Sequence, residues 1–118
     1  MRVRGKITLL MLLALVCVAS VGRAEEVTTT PLLIVSAGAL VRSVAFSPDG
    51  TKVLTGSFDL TAKLWDASNG SEIRTFSGHT DYVSSVAFSP DGTRVLTGSG
   101  DRTAKLWDAS SGTLLRTF

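Results

Sequence analysis

One cysteine, one histidine and three prolines occur in 118 residues, and the first two of these scarcities each exclude a class of chemistry. A lone Cys17 cannot build a disulfide framework or a cysteine-rich zinc site, and a lone His79 cannot supply a two-histidine metal motif. Cys17 also lies in an N-terminal leader, so a Cys–His nucleophile pair is not expected. Acidic residues are missing from the first 24 positions, which hold Arg2, Arg4, Lys6 and Arg23. Beyond them stand eight basic and ten acidic residues, a net of −2, so the basic balance of the whole chain belongs to its start. The remainder has no Lys or Arg cluster of the kind that holds phosphate backbones or anionic lipid, and nucleic-acid binding is disfavoured. No cofactor is implied.

A long hydrophobic run is missing too. The uncharged stretch from Ile7 to Gly22 has 16 residues, short of the roughly 20 that span a bilayer as a helix. Its basic start, apolar middle and small residues before Glu25-Glu26 form the tripartite pattern of an export signal, with Gly22-Arg23-Ala24 as the cleavage site. A signal helix over residues 1–24 and an exported, periplasmic or secreted product are the expectation. An uncleaved membrane anchor is the alternative. Lipidation at Cys17 is disfavoured by the bulky Val16 before it.

Residues 25–35 read as a polar linker leading into an extra apolar strand, Pro31 to Ala37. From there the chain repeats itself. Val41 to Phe76 laid over Val83 to Phe118, an offset of 42, agrees at 28 of 36 positions. A fixed period of that length is the mark of propeller blades or solenoid units. The repeats are placed at residues 36–76 and 77–118.

Each unit calls for four short strands. Val83 to Phe88 alternates larger and smaller side chains, and Ser89-Pro-Asp-Gly92 has the residues of a tight turn. Arg94 to Ser99, Thr103 to Trp107 and Thr113 to Phe118 follow, parted by turns at Gly100-Asp-Arg102 and Asp108 to Gly112. In the first unit the strands are Val41 to Ser47, Lys52 to Ser57, Thr61 to Trp65 and Ser71 to Phe76. Outside the leader no apolar period near 3.6 occurs, so the fold class expected is all-β.

Gly78-His79, Ser89-Pro-Asp-Gly92, Thr97-Gly-Ser99, Asp101 and Leu106-Trp107-Asp108, at these separations, resemble the WD-repeat family of β-propellers, and Leu64-Trp65-Asp66 repeats the ending. The resemblance implies two four-stranded antiparallel blades, a partial propeller, each held by a buried hydrogen-bond chain. In the second unit the chain implied is His79, Thr97 or Ser99, Asp101 and Trp107. Trp donates, Asp accepts and His does both, so the groups can satisfy one another. The first unit has Thr55, Ser57, Asp59 and Trp65 but carries Ala37 at the His position, so its network lacks a member.

Other readings of these residues are weaker. His79 beside Asp81 invites a hydrolytic triad, yet the resemblance gives His79 a structural place. Asp66 to Gly70 lacks the oxygen ligands of a calcium loop. Asn69-Gly-Ser71 is a glycosylation sequon, relevant only to a eukaryotic exporter. More informative is a divergence between the copies: Phe58 and Leu60 replace Gly100 and Arg102 in a turn where solvent is expected. With Tyr82 and Arg102 they form a candidate partner-binding patch.

Two functions of different class follow. One is an exported module that binds a protein or peptide and has no catalysis of its own; the other is the front end of a larger exported propeller protein or enzyme. Two blades cannot close a ring, so a homo-oligomer or a longer propeller is expected. The uncovered sheet faces are expected to carry Val44, Phe46, Val86, Phe88 and the Leu residues of the other strands.

Overall fold

The structure, a computed structural model, describes residues 37–118. The expected signal helix, the linker and the extra strand up to residue 36 lie outside the described residues. Eight strands follow in chain order: β1 (Val41–Phe46), β2 (Lys52–Ser57), β3 (Thr61–Asp66), β4 (Glu72–Ser77), β5 (Val83–Phe88), β6 (Arg94–Ser99), β7 (Ala104–Asp108) and β8 (Leu114–Thr117). They form two antiparallel four-stranded sheets, ordered β1-β2-β3-β4 and β5-β6-β7-β8. The third strand of the second sheet starts at Ala104 rather than Thr103, whereas its counterpart β3 starts at Thr61, which pairs with Ser77 of β4.

Side-chain oxygens close the turns. In Ser47 to Gly50 the N–H of Gly50 donates to the Ser47 carbonyl, at 2.9 Å, and Gly50 takes a φ of +75° that a side chain would strain. Asp49 Oδ1 accepts from the Ser47 hydroxyl (2.7 Å), the Thr51 N–H (3.0 Å) and the Thr51 hydroxyl (2.8 Å). Ser89 to Thr93 repeats this around Asp91. At the same end of the second sheet, where Arg94 pairs with Asp108, Asp108 accepts from the Ser110 hydroxyl and from the N–H groups of Ser110 and Ser111.

These bonds favour the ionised carboxylates. The Ser89 hydroxyl, then the Thr93 N–H and hydroxyl, bring Asp91 down to about 2. The Ser110 hydroxyl, then the Ser111 N–H, do the same for Asp108, also to about 2. An unfolded Asp titrates at about 3.9, so as the pH falls the unfolded chain takes up protons first. The stabilisation is therefore complete above the unfolded value and is lost as the pH falls from about 4 through about 2. Urea midpoints taken from pH 5 to pH 2 are expected to decline across that window, and less steeply in Asp91→Asn and Asp108→Asn. A decline equally steep in both variants would refute the assignment.

The two sheets pack face to face, with β5 lying against β1 and β2. Leu54, Ala62, Leu64 and Phe76 of the first sheet meet Val83, Val86, Val95 and Trp107 of the second in one core. Phe76 and Trp107 touch as tilted rings with centroids 5.7 Å apart. On the far side of the first sheet, Ala37, Val41, Val53 and Trp65 form a second cluster, flanked by Val44 and Phe46.

This arrangement corrects the expected inventory of uncovered faces. Val86 is buried and Phe88 packs against the inter-sheet core, so both face the first sheet. The uncovered side of the second sheet bears Leu96, among the Leu residues expected there, and Phe118, the equivalents of Leu54 and Phe76. Alternation explains the difference: Val86 and Trp107 lie on one surface of the sheet, Leu96 and Leu106 on the other.

Candidate interaction site

Two groups of functional candidates meet at one end of the blades, where β2 turns into β3 and β4 leads into β5. The first is buried. Trp107 Nε1 donates to Thr97 Oγ1 at 2.9 Å, Thr97 Oγ1 lies 2.8 Å from His79 Nε2, and His79 Nδ1 lies 2.7 Å from Asp101 Oδ2. With Nδ1 protonated, every bond has one donor: the indole gives to the hydroxyl, the hydroxyl to Nε2, and Nδ1–H to the carboxylate. Thr103, His79 and the Thr80 N–H hold the Asp101 carboxyl well below its usual range.

Of the two hydroxyls that could join this chain, the structure uses Thr97. Ser99 instead donates to the Asp81 carbonyl (3.0 Å) and accepts from the Asp101 N–H (3.1 Å), bracing the turn. Position along the strand separates them: Thr97 stands under the indole of Trp107, whereas Ser99 is the last residue of β6 and meets the turn. In the first blade Trp65 Nε1 donates to Thr55 Oγ1 at 2.9 Å, and Ala37 is buried where the His would stand. Asp59 is left outside that pair and accepts from the N–H (3.0 Å) and hydroxyl (2.6 Å) of Thr61, while Ser57 accepts from the Asp59 N–H at 3.1 Å.

Both ring nitrogens of His79 are engaged, and its acidic partner is Asp101. Asp81 accepts from the N–H of Tyr82 at 2.7 Å, so the His79–Asp81 pairing needed by a triad does not form. Among the described residues no three His, Cys, Asp or Glu side chains are grouped to hold a metal.

The second group is the rim. Phe58 is 43% exposed, and its ring meets that of Tyr82 with centroids 5.2 Å apart. The Arg42 guanidinium lies over both rings, 5.4 Å from Phe58 and 5.8 Å from Tyr82. Leu60 stands beside them in the same turn, exposed, with a left-handed φ of 74°. The cation on the rings is thus Arg42 rather than Arg102, which occupies the position of Leu60 in the second blade's turn and has a φ of 71°. Sequence reasoning missed Arg42, although a signal existed: position 42 is Arg in one copy and Ser84 in the other, the same pair of copies that differ at Phe58 and Gly100. Gly100 has its own reason. A Cβ there would lie 2.8 Å from Tyr82 Cε1, so the ring that Phe58 stacks on from one blade is seated against bare backbone in the next.

Two stacked antiparallel four-stranded blades, each tied by an indole-to-threonine bond, define a segment of a β-propeller. The model of the WD domain, G-beta repeat, matches residues 29–66 and 70–108, and the chain belongs to that family. Residues 1–24 and the exported state are not addressed by the match. Among curated proteins the chain is similar to a "Dynein assembly factor with WD repeat domains 1" of Xenopus laevis, 44% identical over 41 residues, 35% of this chain and 10% of that protein. It is also similar to a "U3 small nucleolar RNA-associated protein 15 homolog" of the same species, 46% identical over 43 residues, 36% of this chain and 8% of that protein. A third relative, "Probable serine/threonine-protein kinase PkwA" of Thermomonospora curvata, is 53% identical over 41 residues, 35% of this chain and 6% of that protein. The matched stretch is a tenth or less of each relative's length.

Proposed function

We propose that this WD-repeat chain is an exported interaction module without catalysis of its own, and that it grips a protein or peptide through the rim of Arg42, Phe58, Leu60 and Tyr82. The observation that carries the reading is the rim itself: two exposed apolar side chains and a stacked cation in a turn whose sister copy has Gly and Arg. The export leader supports the location outside the cytoplasm.

The test is a pull-down from the exported fraction with the chain and with Phe58→Gly/Leu60→Arg. Capture is expected to fail with the double variant while the β-sheet circular dichroism persists. Leu60→Gly alone should raise the unfolding free energy, by up to about 1 kcal/mol, and weaken capture. Equal capture by all three proteins would make the divergence neutral drift.

A second reading is the front end of a larger propeller protein or enzyme. It is favoured by the uncovered side of the second blade and by the small share that the matched stretch makes of each relative, one of them named as a probable kinase. In either reading the two blades work within a larger ring.

A further inference from the structure

An arginine that lies flat on aromatic rings uses its face there and keeps its edge, with the N–H donors, for something else. Arg42 is such a residue. The rings of Phe58 and Tyr82 are inclined at 45° to each other, and the guanidinium lies over both. The seat is firm, because Tyr82 is tied at both backbone groups: its N–H donates to Asp81 Oδ1 at 2.7 Å, and its carbonyl accepts from the Gly100 N–H at 3.0 Å. Arg42 is exposed, and neither ion pair among the described residues, Lys63 with Glu72 and His79 with Asp101, includes it. Its sister residue Ser84 behaves differently, turning its hydroxyl back to the Gly98 carbonyl of its own sheet at 3.3 Å.

The carboxylates of the nearby turns have other bonds. Asp59 Oδ1 accepts from the N–H and hydroxyl of Thr61, and Asp81 Oδ1 from the N–H of Tyr82. Asp101 accepts from Thr80, His79 and Thr103. A guanidinium fork that matches the two oxygens of a carboxylate therefore stands open beside two exposed apolar side chains, Phe58 and Leu60. Arg102, exposed in the equivalent turn of the second blade, adds positive charge to the same end. Phosphate is the poorer match. Phosphorylated segments are held by clusters of arginines, whereas a single guanidinium lies on these rings.

We propose that the rim takes an acidic and apolar peptide segment of its partner, with an Asp or Glu carboxylate on the edge of Arg42 and, two residues away, an aliphatic or aromatic side chain on Phe58 and Leu60. This deepens the rim reading and rests on it. The spacing follows from size. Side chains i and i+2 of an extended segment lie roughly 7 Å apart on one face. Arg42 Cζ lies 5.4 Å from the Phe58 ring centre, and the carboxylate sits beyond the guanidinium edge.

The probe is a set of synthetic peptides with Glu and Phe two residues apart in a Gly-Ser background, with members in which Glu is replaced by Gln, Lys or phosphoserine and members in which Phe is replaced by Ser. The chain is expected to bind the Glu peptide about fivefold more tightly than the Gln peptide, the upper end for an exposed ion pair, because the rings fix the guanidinium beforehand. The Lys peptide should bind worst, and the preference for Glu should fade as salt is raised to about 0.5 M. Arg42→Gln should keep its sheet signal, bind the Glu and Gln peptides alike and still prefer Phe to Ser. Binding of none of the peptides, equal binding of the Glu, Gln and Lys peptides, or binding of the phosphoserine peptide alone overturns the proposal, and so does an Arg42→Gln chain that still prefers Glu. The rim reading fails in a different way: Phe58→Gly/Leu60→Arg would then keep both its pull-down capture and its preference for Phe. Should this proposal alone fail, that double variant loses both, and Glu counts for nothing in the parent.

Discussion

Thr97→Val is expected to destabilise the protein more than Thr55→Val, although the two threonines are equivalent and both are buried. Valine keeps the shape and removes the hydroxyl. At position 97 that strands the Trp107 N–H and His79 Nε2; at position 55 it strands only the Trp65 N–H among these partners. Each buried group left unpaired costs about 1–3 kcal/mol, a large part of the 5–15 kcal/mol that holds a typical domain together. His79→Ala should fall at or below Thr97→Val, since Asp101 keeps its bonds from Thr80 and Thr103 when the imidazole goes. Urea denaturation of the three variants beside the parent gives the order. Equal losses for Thr97→Val and Thr55→Val would mean that His79 adds nothing to its blade.

Gly56→Ala and Gly98→Ala should have opposite effects on the chain's own stability. A Cβ at Gly56 is driven into Val83, 2.8 Å from Cγ1 and 3.1 Å from the carbonyl oxygen, and backbone cannot step aside as a flexible side chain can. Overpacking of this kind costs about 1–3 kcal/mol, and here it pries the two sheets apart. At Gly98 the methyl meets only Ser85 Cβ at an ordinary 3.6 Å, so the smaller freedom of the unfolded chain should raise stability by about 0.4–1 kcal/mol. Thermal melts make the comparison. Matching losses at both positions would contradict the packing described, because then the second blade's outer face could not be open.

Much of this protein is legible along its sequence because its instructions are local. Ser-Pro-Asp-Gly closes a hairpin from within four residues, and the strand starts and stops fall at or within a residue or so of the expected positions. Local too are the carboxylates that cap the turns. The choice between Thr97 and Ser99 was not legible, because both hydroxyls flank the same glycine and only the pairing of Val95 with Trp107 puts Thr97 under the indole. Arg42 was missed at the rim for a similar reason. It joins Phe58 through a bulge between Val41 and Ser43, and joins Tyr82 from the other blade, neither of which periodicity contains.

By itself the sequence determined the class, the strand count, the repeat and the absence of a second His for the first blade's network. Tertiary structure alone decided which face of each blade is covered. Leu54 and Leu96 sit in identical local sequence, yet one is sealed and the other open, because burial belongs to the neighbour across the interface and not to the residue. The same holds for Gly56 and Gly98: one is needed for a close approach and the other is free, a distinction that exists only once β5 has been laid against β2.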